Sequence, residues 1–126
     1  MPVLLDTNIF LWLTMGSPRL SRDAKAILES ADRVFISAAS IWEVAIKVRL
    51  GKLSGDTDRL MDEIHENGFE ELPVYARHAR EVAKLPLLHG DPFDRLLIGQ
   101  AIADQLQLLT ADPQMRAYSH LTDIVG

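Results

Sequence analysis

Short, continuous apolar runs alternate along the chain with longer segments in which apolar residues recur every three or four positions. A short continuous run is typical of a strand that is buried on both faces of a parallel sheet. Residues 2–5 form such a run, and we also predict strands at residues 34–36, 69–74, 108–110 and 122–125. Pro73 interrupts the third of these strands, and because proline has no N–H to donate, we expect this strand to be short or at the sheet edge.

The periodic segments predict helices between these strands. Several of them have recognisable ends, since Ser21 and Asp91 are good N-caps, Pro92 suits a first helical position, and Gly51 and Gly68 suit helix ends. The predicted helices cover residues 9–15, 22–30, 38–50, 57–67, 75–85, 92–106 and 113–118. This order predicts an α/β fold of three layers, with helices on both faces of a central, mostly parallel sheet of four to five short strands.

Composition limits the class of protein. The chain has 126 residues, and we expect residues 1–126 to form a single domain. With 48% hydrophobic and 25% charged residues, no apolar run of membrane-spanning length and no basic N-terminal region, the sequence predicts a soluble protein without a secretory signal. The absence of cysteine excludes disulfides and zinc–thiolate sites and is compatible with the cytoplasm.

Four acidic residues follow predicted strands or lie near the start of predicted helices: Asp6, Glu43, Asp94 and Asp112. In a parallel sheet those positions share one edge, so the fold would bring the four carboxylates into one crevice. Each of the last three also has a local explanation as a helix cap or first-turn acid; Ser40 and Glu43 even fit a capping box if the helix begins at Ser40. Asp6 is harder to explain locally, because it directly follows an apolar buried strand.

Clustered carboxylates predict a site for a hard divalent cation such as Mg²⁺, which prefers oxygen ligands and is commonly held by a few carboxylates plus substrate phosphate. Such an ion can activate water for attack on a phosphodiester. The net charge of −5 argues against a general polyanion binder, so any role on nucleic acid would depend on the metal or on a partner.

Four motifs in this chain together resemble those of PIN-domain ribonucleases, specifically the VapC-type toxins of bacterial and archaeal toxin–antitoxin pairs. They are Leu4-Leu5-Asp6-Thr7-Asn8, Ser40-Ile41-Trp42-Glu43, Asp91-Pro92-Phe93-Asp94-Arg95 and Leu109-Thr110-Ala111-Asp112. The resemblance extends over nearly the whole chain, and no acid is missing. A minor departure is Gly99, where relatives with the third motif often carry alanine; it should affect helix packing rather than chemistry.

The resemblance implies an endoribonuclease that depends on Mg²⁺ or Mn²⁺, with Asp6, Glu43, Asp94 and Asp112 as its acidic site. We expect Asp6 and Asp94 to be direct metal ligands, and Glu43 and Asp112 to be further ligands, second-shell acids or groups that orient water. The resemblance also implies a homodimer that is neutralised by a cognate antitoxin. We expect the antitoxin to contact a protruding helical hairpin at residues 38–67 and the homodimer to use another surface.

Other polar residues could support the acids. Thr7, Asn8 and Thr110 carry hydroxyl or amide groups at the same sheet edge and could hydrogen-bond the carboxylates, or they could be ordinary turn and cap residues. Lys47 and Arg95 could contact RNA phosphate or be surface charges. The four histidines, His65, His78, His89 and His120, show no metal-ligand spacing and are expected in loops or at the surface. Trp12 and Trp42 are expected in the core or an interface.

Three alternative functions remain open at this point. Asp6-Thr7-Asn8 resembles the start of a haloacid-dehalogenase phosphatase, but Asn8 stands where a proton-donating acid is needed. A phospho-receiver domain also places acids at strand ends, but it needs a lysine after a late strand, where this chain has Thr110-Ala111-Asp112. The third alternative is a catalytically silent, PIN-like domain that binds a partner.

Overall fold

The computed structural model describes residues 1–126 and contains five strands and seven helices. The strands are β1 (Val3–Leu5), β2 (Val34–Ser37), β3 (Glu70–Leu72), β4 (Gln107–Leu109) and β5 (Ile124–Val125). The helices are α1 (Thr7–Met15), α2 (Arg22–Ser30), α3 (Ala38–Arg49), α4 (Thr57–Glu66), α5 (Ala76–Lys84), α6 (Pro92–Asp104) and α7 (Pro113–Arg116). No helix is both long and apolar enough to span a membrane.

All five strands form one parallel sheet in the order β3-β2-β1-β4-β5. The expected α/β architecture is therefore confirmed, and β3 is a short edge strand that ends directly before Pro73. In the sheet, Leu5 lies opposite both Ile36 and Leu109, so β1 is central. The residue after β1 and those after β4 consequently lie close together at the carboxyl edge.

Separate hydrophobic clusters cover the two faces of the sheet. One face packs Val3 and Leu5 of β1 against residues of α1, α2, α3 and α4. The opposite face packs Leu4 against Leu97, Ile98 and other residues of α6, together with the segment around α7. Successive strand residues point to opposite faces, and because helices cover both of them, β1 is apolar throughout. This packing produces the three layers.

Helix ends follow the expected local chemistry. The Ser21 side chain accepts a hydrogen bond from Ala24 N, and the Asp91 side chain accepts one from Asp94 N ahead of Pro92. The cap of α3 is Ser37, which accepts from Ala39 N, so the alternative start of this helix at Ser40 is wrong. Each satisfied N–H is one of the groups that a helix start leaves without an intrahelical partner.

Helices α5 and α6 pack closely through Gly99. A Cβ atom at this position would lie 2.7 Å from Val82 Cγ2 and 2.9 Å from the carbonyl oxygen of His78. The effect of Gly99 is therefore on helix packing, and the hydrogen atom in place of a side chain permits the close approach.

Candidate metal centre

A polar cavity of about 240 Å³ lies where β1 and β4 end, and none of its 10 lining residues is hydrophobic. The four acids expected from the sequence all line this cavity, which is completed by Thr7, Asn8, Lys47, His89, Asp91 and Gln114. In the sheet, β2 lies on one side of β1 and β4 lies on the other, so the strand order reverses at β1. Such a reversal of strand order is the usual position of a binding site in a parallel α/β sheet.

Asp6 is a buried carboxylate that caps α1. Its Oδ1 accepts a hydrogen bond from Ile9 N at 2.7 Å, and its Oδ2 accepts one from the Thr110 hydroxyl. Burial raises the pKa of Asp6 to about 6; the two hydrogen bonds oppose this shift, and the charges of Asp94 and Asp112 add to it. Each carboxylate oxygen retains a second lone pair, so Asp6 can still contact a cation in the cavity.

Glu43 reaches the cavity from α3 and is held from two sides. The Thr7 hydroxyl donates to Glu43 Oε1 at 2.9 Å and also lies 2.9 Å from Ser40 Oγ. Lys47, one helical turn further on, places Nζ 3.0 Å from Glu43 Oε2. Lys47 is therefore the cation that balances part of the acidic charge in the cavity.

Asp94 lies in the first turn of α6, next to the cap residue Asp91. Its Oδ2 is 2.8 Å from His89 Nε2, in the loop before the helix. Burial raises the pKa of Asp94; the hydrogen bond with His89 opposes the shift, and the charges of Asp91 and Glu43 add to it. Carboxylates that repel one another in this way favour a bound cation.

Asp112 follows β4 and caps α7, where its Oδ1 accepts from Gln114 N at 2.9 Å. Its own backbone N–H donates to the Thr110 hydroxyl oxygen at 3.0 Å. One ligand atom from each of Asp112, Asp94 and His89 lies within 4.8 Å of the others. The two carboxylates at this separation suit a hard divalent ion such as Mg²⁺ or Mn²⁺, and the imidazole of His89 lies against one of them.

The supporting residues divide into two groups. Thr7 and Thr110 hydrogen-bond Glu43 and Asp6, respectively, whereas Asn8 is exposed at the cavity and makes no side-chain hydrogen bond. Asp91 caps α6 as expected, and it also lines the cavity. The sequence indicates that Asp91 lies close to the cavity, because it belongs to the same motif as Asp94.

The histidines lie in loops or at the surface as expected, except for His78. His65 and His120 are exposed as expected, but His78 is fully buried between α5 and α6, with Nε2 2.9 Å from Asp104 Oδ2. His89 lies in a loop but faces Asp94 in the cavity. Its signal in the sequence was its position two residues before Asp91, just ahead of the third motif.

Arg95 differs from its expected roles, whereas for Trp42 the structure excludes the core and leaves the expected interface as a prediction. Arg95 is neither a free surface charge nor directed at the cavity; its guanidinium donates to the carbonyl oxygens of Pro86 and His89. Trp12 is partly buried against the core, but Trp42 is 62% exposed and contacts Phe93 edge-on at a centroid distance of 5.3 Å. Trp42 is therefore not a core residue.

The sheet order and the cavity define a class: parallel α/β proteins with a carboxylate-lined site for a divalent cation at the strand-order reversal. The chain belongs to the PIN domain family, whose model matches residues 3–121. This membership displaces the phosphatase and phospho-receiver alternatives.

Individual relatives agree with the family assignment. Ribonuclease VapC22 of Mycobacterium tuberculosis (strain ATCC 25618 / H37Rv) is 31% identical over 125 residues, which cover 94% of this chain and 92% of the relative. The fold is similar to that in VapBC2 from Rickettsia felis bound to a promoter DNA fragment, with a TM-score of 0.69, 17% identity and coverage of 100% of this chain and 98% of that one. FitAcB from Neisseria gonorrhoeae gives a TM-score of 0.67 at 20% identity, covering 98% of this chain and 96% of the other.

Proposed function

We propose that this PIN-domain protein is a metal-dependent endoribonuclease and the toxin of a toxin–antitoxin pair, acting on RNA in the cytoplasm. The observation that carries the proposal is the convergence of Asp6, Glu43, Asp94 and Asp112 on one cavity without a hydrophobic lining residue. The choice of RNA as substrate is supported by the relative Ribonuclease VapC22, which is 31% identical over nearly the full length of this chain.

The donor set fits Mg²⁺ or Mn²⁺. When bound, such an ion supplies activation of water and neutralisation of charge on the scissile phosphodiester. Asp6 and Asp94 would hold the ion, and Glu43 and Asp112 would complete the set or orient the attacking water. The positive ends of α6 and α7 disfavour a cation at this edge, which is why several carboxylates are needed there.

Neighbouring residues, inside and outside the cavity, keep those carboxylates in place. Thr110 and the Ile9 N–H hold the two oxygens of Asp6, while Thr7 and Lys47 hold the two oxygens of Glu43. The Lys47 side chain is 45% exposed, so its Nζ can also contact a substrate phosphate at the mouth of the cavity. Carboxylates that are fixed in advance lose little freedom when the ion binds.

The proposed partner surface is a groove of about 250 Å³ between α1 and the hairpin formed by α3, the following loop and α4. Leu11, Met15, Val44, Leu53 and Leu60 provide its apolar lining, and Asp56, Arg59 and Glu63 lie among its polar residues. An amphipathic segment of the antitoxin fits such a groove by burying its apolar face there. The apolar face of the hairpin is only partly free, since Leu60 and Ile64 pack in the core. We propose that homodimer formation uses another surface.

Cleavage chemistry tests the proposal. Purified protein should cut RNA with Mg²⁺ or Mn²⁺, stop with EDTA, and leave 5′-phosphate and 3′-hydroxyl ends, because water attacks and the 3′-oxygen leaves. End-labelled substrates and mass spectrometry of the fragments distinguish these products from 2′,3′-cyclic phosphates. Cyclic products or full activity in EDTA would contradict the mechanism. An absence of cleavage together with tight antitoxin binding would favour the catalytically silent, partner-binding alternative.

A further inference from the structure

The loop between α5 and α6 carries a mostly buried polar side chain directly after two exposed apolar ones. Leu87 is 81% exposed and Leu88 is 52% exposed, whereas the His89 side chain is only 13% exposed. His89 Nε2 lies 2.8 Å from Asp94 Oδ2. Because an ionised carboxylate can only accept hydrogen bonds, Nε2 must carry the hydrogen, and His89 donates to Asp94.

The backbone of this loop is fixed by the Tyr118 hydroxyl, which comes from beyond α7 and belongs to a fully buried side chain. This oxygen accepts hydrogen bonds from Leu88 N at 3.1 Å and His89 N at 3.0 Å, and it donates to Pro86 O at 2.9 Å. The seven residues between α5 and α6 belong to no helix or strand, so this hydroxyl and the hydrogen bond from Leu88 N to Pro86 O at 3.0 Å hold the inner turn of the loop.

Arg95 adds a second attachment from α6. Its Nη1 lies 2.9 Å from the Tyr118 hydroxyl, 3.0 Å from Pro86 O and 3.3 Å from His89 O. Arg95 is the residue directly after Asp94 in the chain. The same turn of α6 therefore carries the carboxylate of the site and holds the loop whose histidine contacts that carboxylate.

We propose that His89 is a positioning residue: it holds the Asp94 carboxylate in the orientation that receives the metal ion, and Tyr118 and Arg95 fix the loop that presents His89. The inference rests on the proposed function, because Asp94 acts there as a metal ligand. Partners that orient a metal ligand commonly change metal affinity about 10- to 100-fold when they are removed.

Two substitutions of His89 separate the hydrogen bond from the rest of the side chain. The terminal amide nitrogen of glutamine can take the place of Nε2 as a donor, whereas leucine has a similar bulk and no donor. In Mn²⁺ titrations followed by the electron paramagnetic resonance signal of free Mn²⁺, without RNA, we expect His89→Leu to bind about tenfold more weakly. His89→Gln should stay within about threefold of the unmodified protein, and His120→Leu, at an exposed site, should not change the affinity. Equal affinities for His89→Leu and the unmodified protein, or equal losses in the Gln and Leu variants, would overturn the proposal.

A double-mutant cycle tests whether His89 acts through Asp94. Combined with Asp94→Asn, His89→Leu should cause less than about a twofold further loss of Mn²⁺ affinity, because the carboxylate that it positions is already gone. Additive losses would overturn the proposal by showing that His89 acts on the ion independently of Asp94.

The variant Tyr118→Phe tests the attachment of the loop and keeps the buried ring. Hydrogen exchange at the His89 amide should accelerate at least tenfold because it loses its acceptor, whereas the Leu88 amide keeps Pro86 O as an acceptor and should accelerate less. The amides in the centre of α6 should be unchanged, and Mn²⁺ affinity should fall by less than in His89→Leu. Unchanged exchange at the His89 amide would overturn the role assigned to Tyr118.

These measurements are independent of RNA cleavage. If the protein binds Mn²⁺ and shows the histidine dependence but does not cut RNA, the proposed function fails and the positioning role stands. If it cuts RNA with metal but His89→Leu binds Mn²⁺ normally, the positioning role fails and the function stands.

Discussion

Thr110 donates its hydroxyl hydrogen to Asp6 Oδ2, although the two residues are 104 positions apart in the chain. They follow β4 and β1, which are neighbours in the sheet. The same hydroxyl oxygen accepts a hydrogen bond from the backbone N–H of Asp112 at 3.0 Å. One threonine thus connects two acids of the cavity to each other and to the carboxyl edge of the sheet.

Removal of this hydroxyl should weaken both the fold and the metal site. We expect Thr110→Val to lower the free energy of unfolding by about 1 to 3 kcal/mol, because Asp6 Oδ2 and the Asp112 N–H each lose the hydroxyl as hydrogen-bond partner. Urea denaturation in EDTA and Mn²⁺ titration measure the two effects. Thr110→Ser keeps the hydroxyl and is the matched control. If Val and Ser variants bind Mn²⁺ equally well, the hydroxyl does not organise the site.

Asp94→Asn should separate a metal ligand from a structural residue. The cap of α6 is Asp91, and asparagine retains an oxygen that can accept from His89, so the helix start should survive. Loss of one of several repelling charges should leave the melting temperature in EDTA at or above that of the unmodified protein. The gain from added Mg²⁺ should shrink, and RNA cleavage should fall about 100-fold or more.

Asp112→Asn should show the same pattern less strongly, since asparagine caps α7 about as well as aspartate. Thermal melts of the three proteins with and without Mg²⁺ compare the two acids directly. Parallel metal-induced shifts in all three would mean that Asp94 and Asp112 only serve the helix starts.

The raised pKa of Asp6 predicts how stability depends on pH when no metal is bound. The pKa of this carboxyl is about 6 in the folded protein and 3.8 in the absence of the surrounding structure, as in the unfolded chain. The folded state therefore takes up the proton first as pH falls. Its contribution to stability is full below pH 4 and is lost as pH rises through about 6. Between pH 7.5 and pH 5 we expect a gain of about 1 kcal/mol in EDTA.

Asp6→Asn is the control for this pH dependence, because an amide does not titrate. Urea unfolding gives the change in unfolding free energy between the two pH values for each protein. The contribution of Asp6 is the change in the unmodified protein minus the change in Asp6→Asn. Saturating Mg²⁺ should reverse the sign, since protons then compete with the ion for the carboxylate. If this pH-dependent change in unfolding free energy is the same for both proteins in EDTA, the raised pKa of Asp6 is contradicted.

Substitution at the groove should affect the partner without affecting catalysis. Met15 lines the groove between α1 and the hairpin and is 65% exposed, so Met15→Glu should fold normally. A charge on this apolar surface should weaken antitoxin binding about tenfold or more in calorimetry while RNA cleavage persists. Leu87→Glu, at an 81% exposed position outside the groove, is the matched control. In the complex, hydrogen exchange should be slowed within residues 38–67; protection elsewhere alone would refute the groove as the binding surface.

Gly99→Ala should destabilise the protein even though alanine favours helices. The new methyl group would lie 2.9 Å from the His78 carbonyl oxygen, and backbone cannot move away as a flexible side chain can. We expect a loss of about 1 to 2 kcal/mol in the free energy of unfolding, with partial recovery when Val82→Ala is added. Equal or higher stability in the single variant would show that α5 and α6 separate at little cost.

The sequence by itself determined the elements and their order. Short apolar segments such as residues 2–5 specified the inner strands, and cap residues such as Ser21 and Asp91 specified helix starts, because these signals act between neighbouring residues. Pro73 limited β3 for the same local reason. Alternation of strands and helices then placed the residues after Leu5 and Leu109 at a common sheet edge, so the gathering of the acids could be predicted before any distance was known.

Only the tertiary structure decided which polar groups hold those acids. His89 and Arg95 resemble ordinary loop and surface residues in the sequence, and their contacts depend on Tyr118, which lies 29 positions from His89. The burial of His78 and the exposure of Trp42 likewise depend on how α5, α3 and α6 pack. Hydrogen bonds and burial between distant segments arise from the packed arrangement as a whole, and the local pattern of apolar and polar residues carries no record of them.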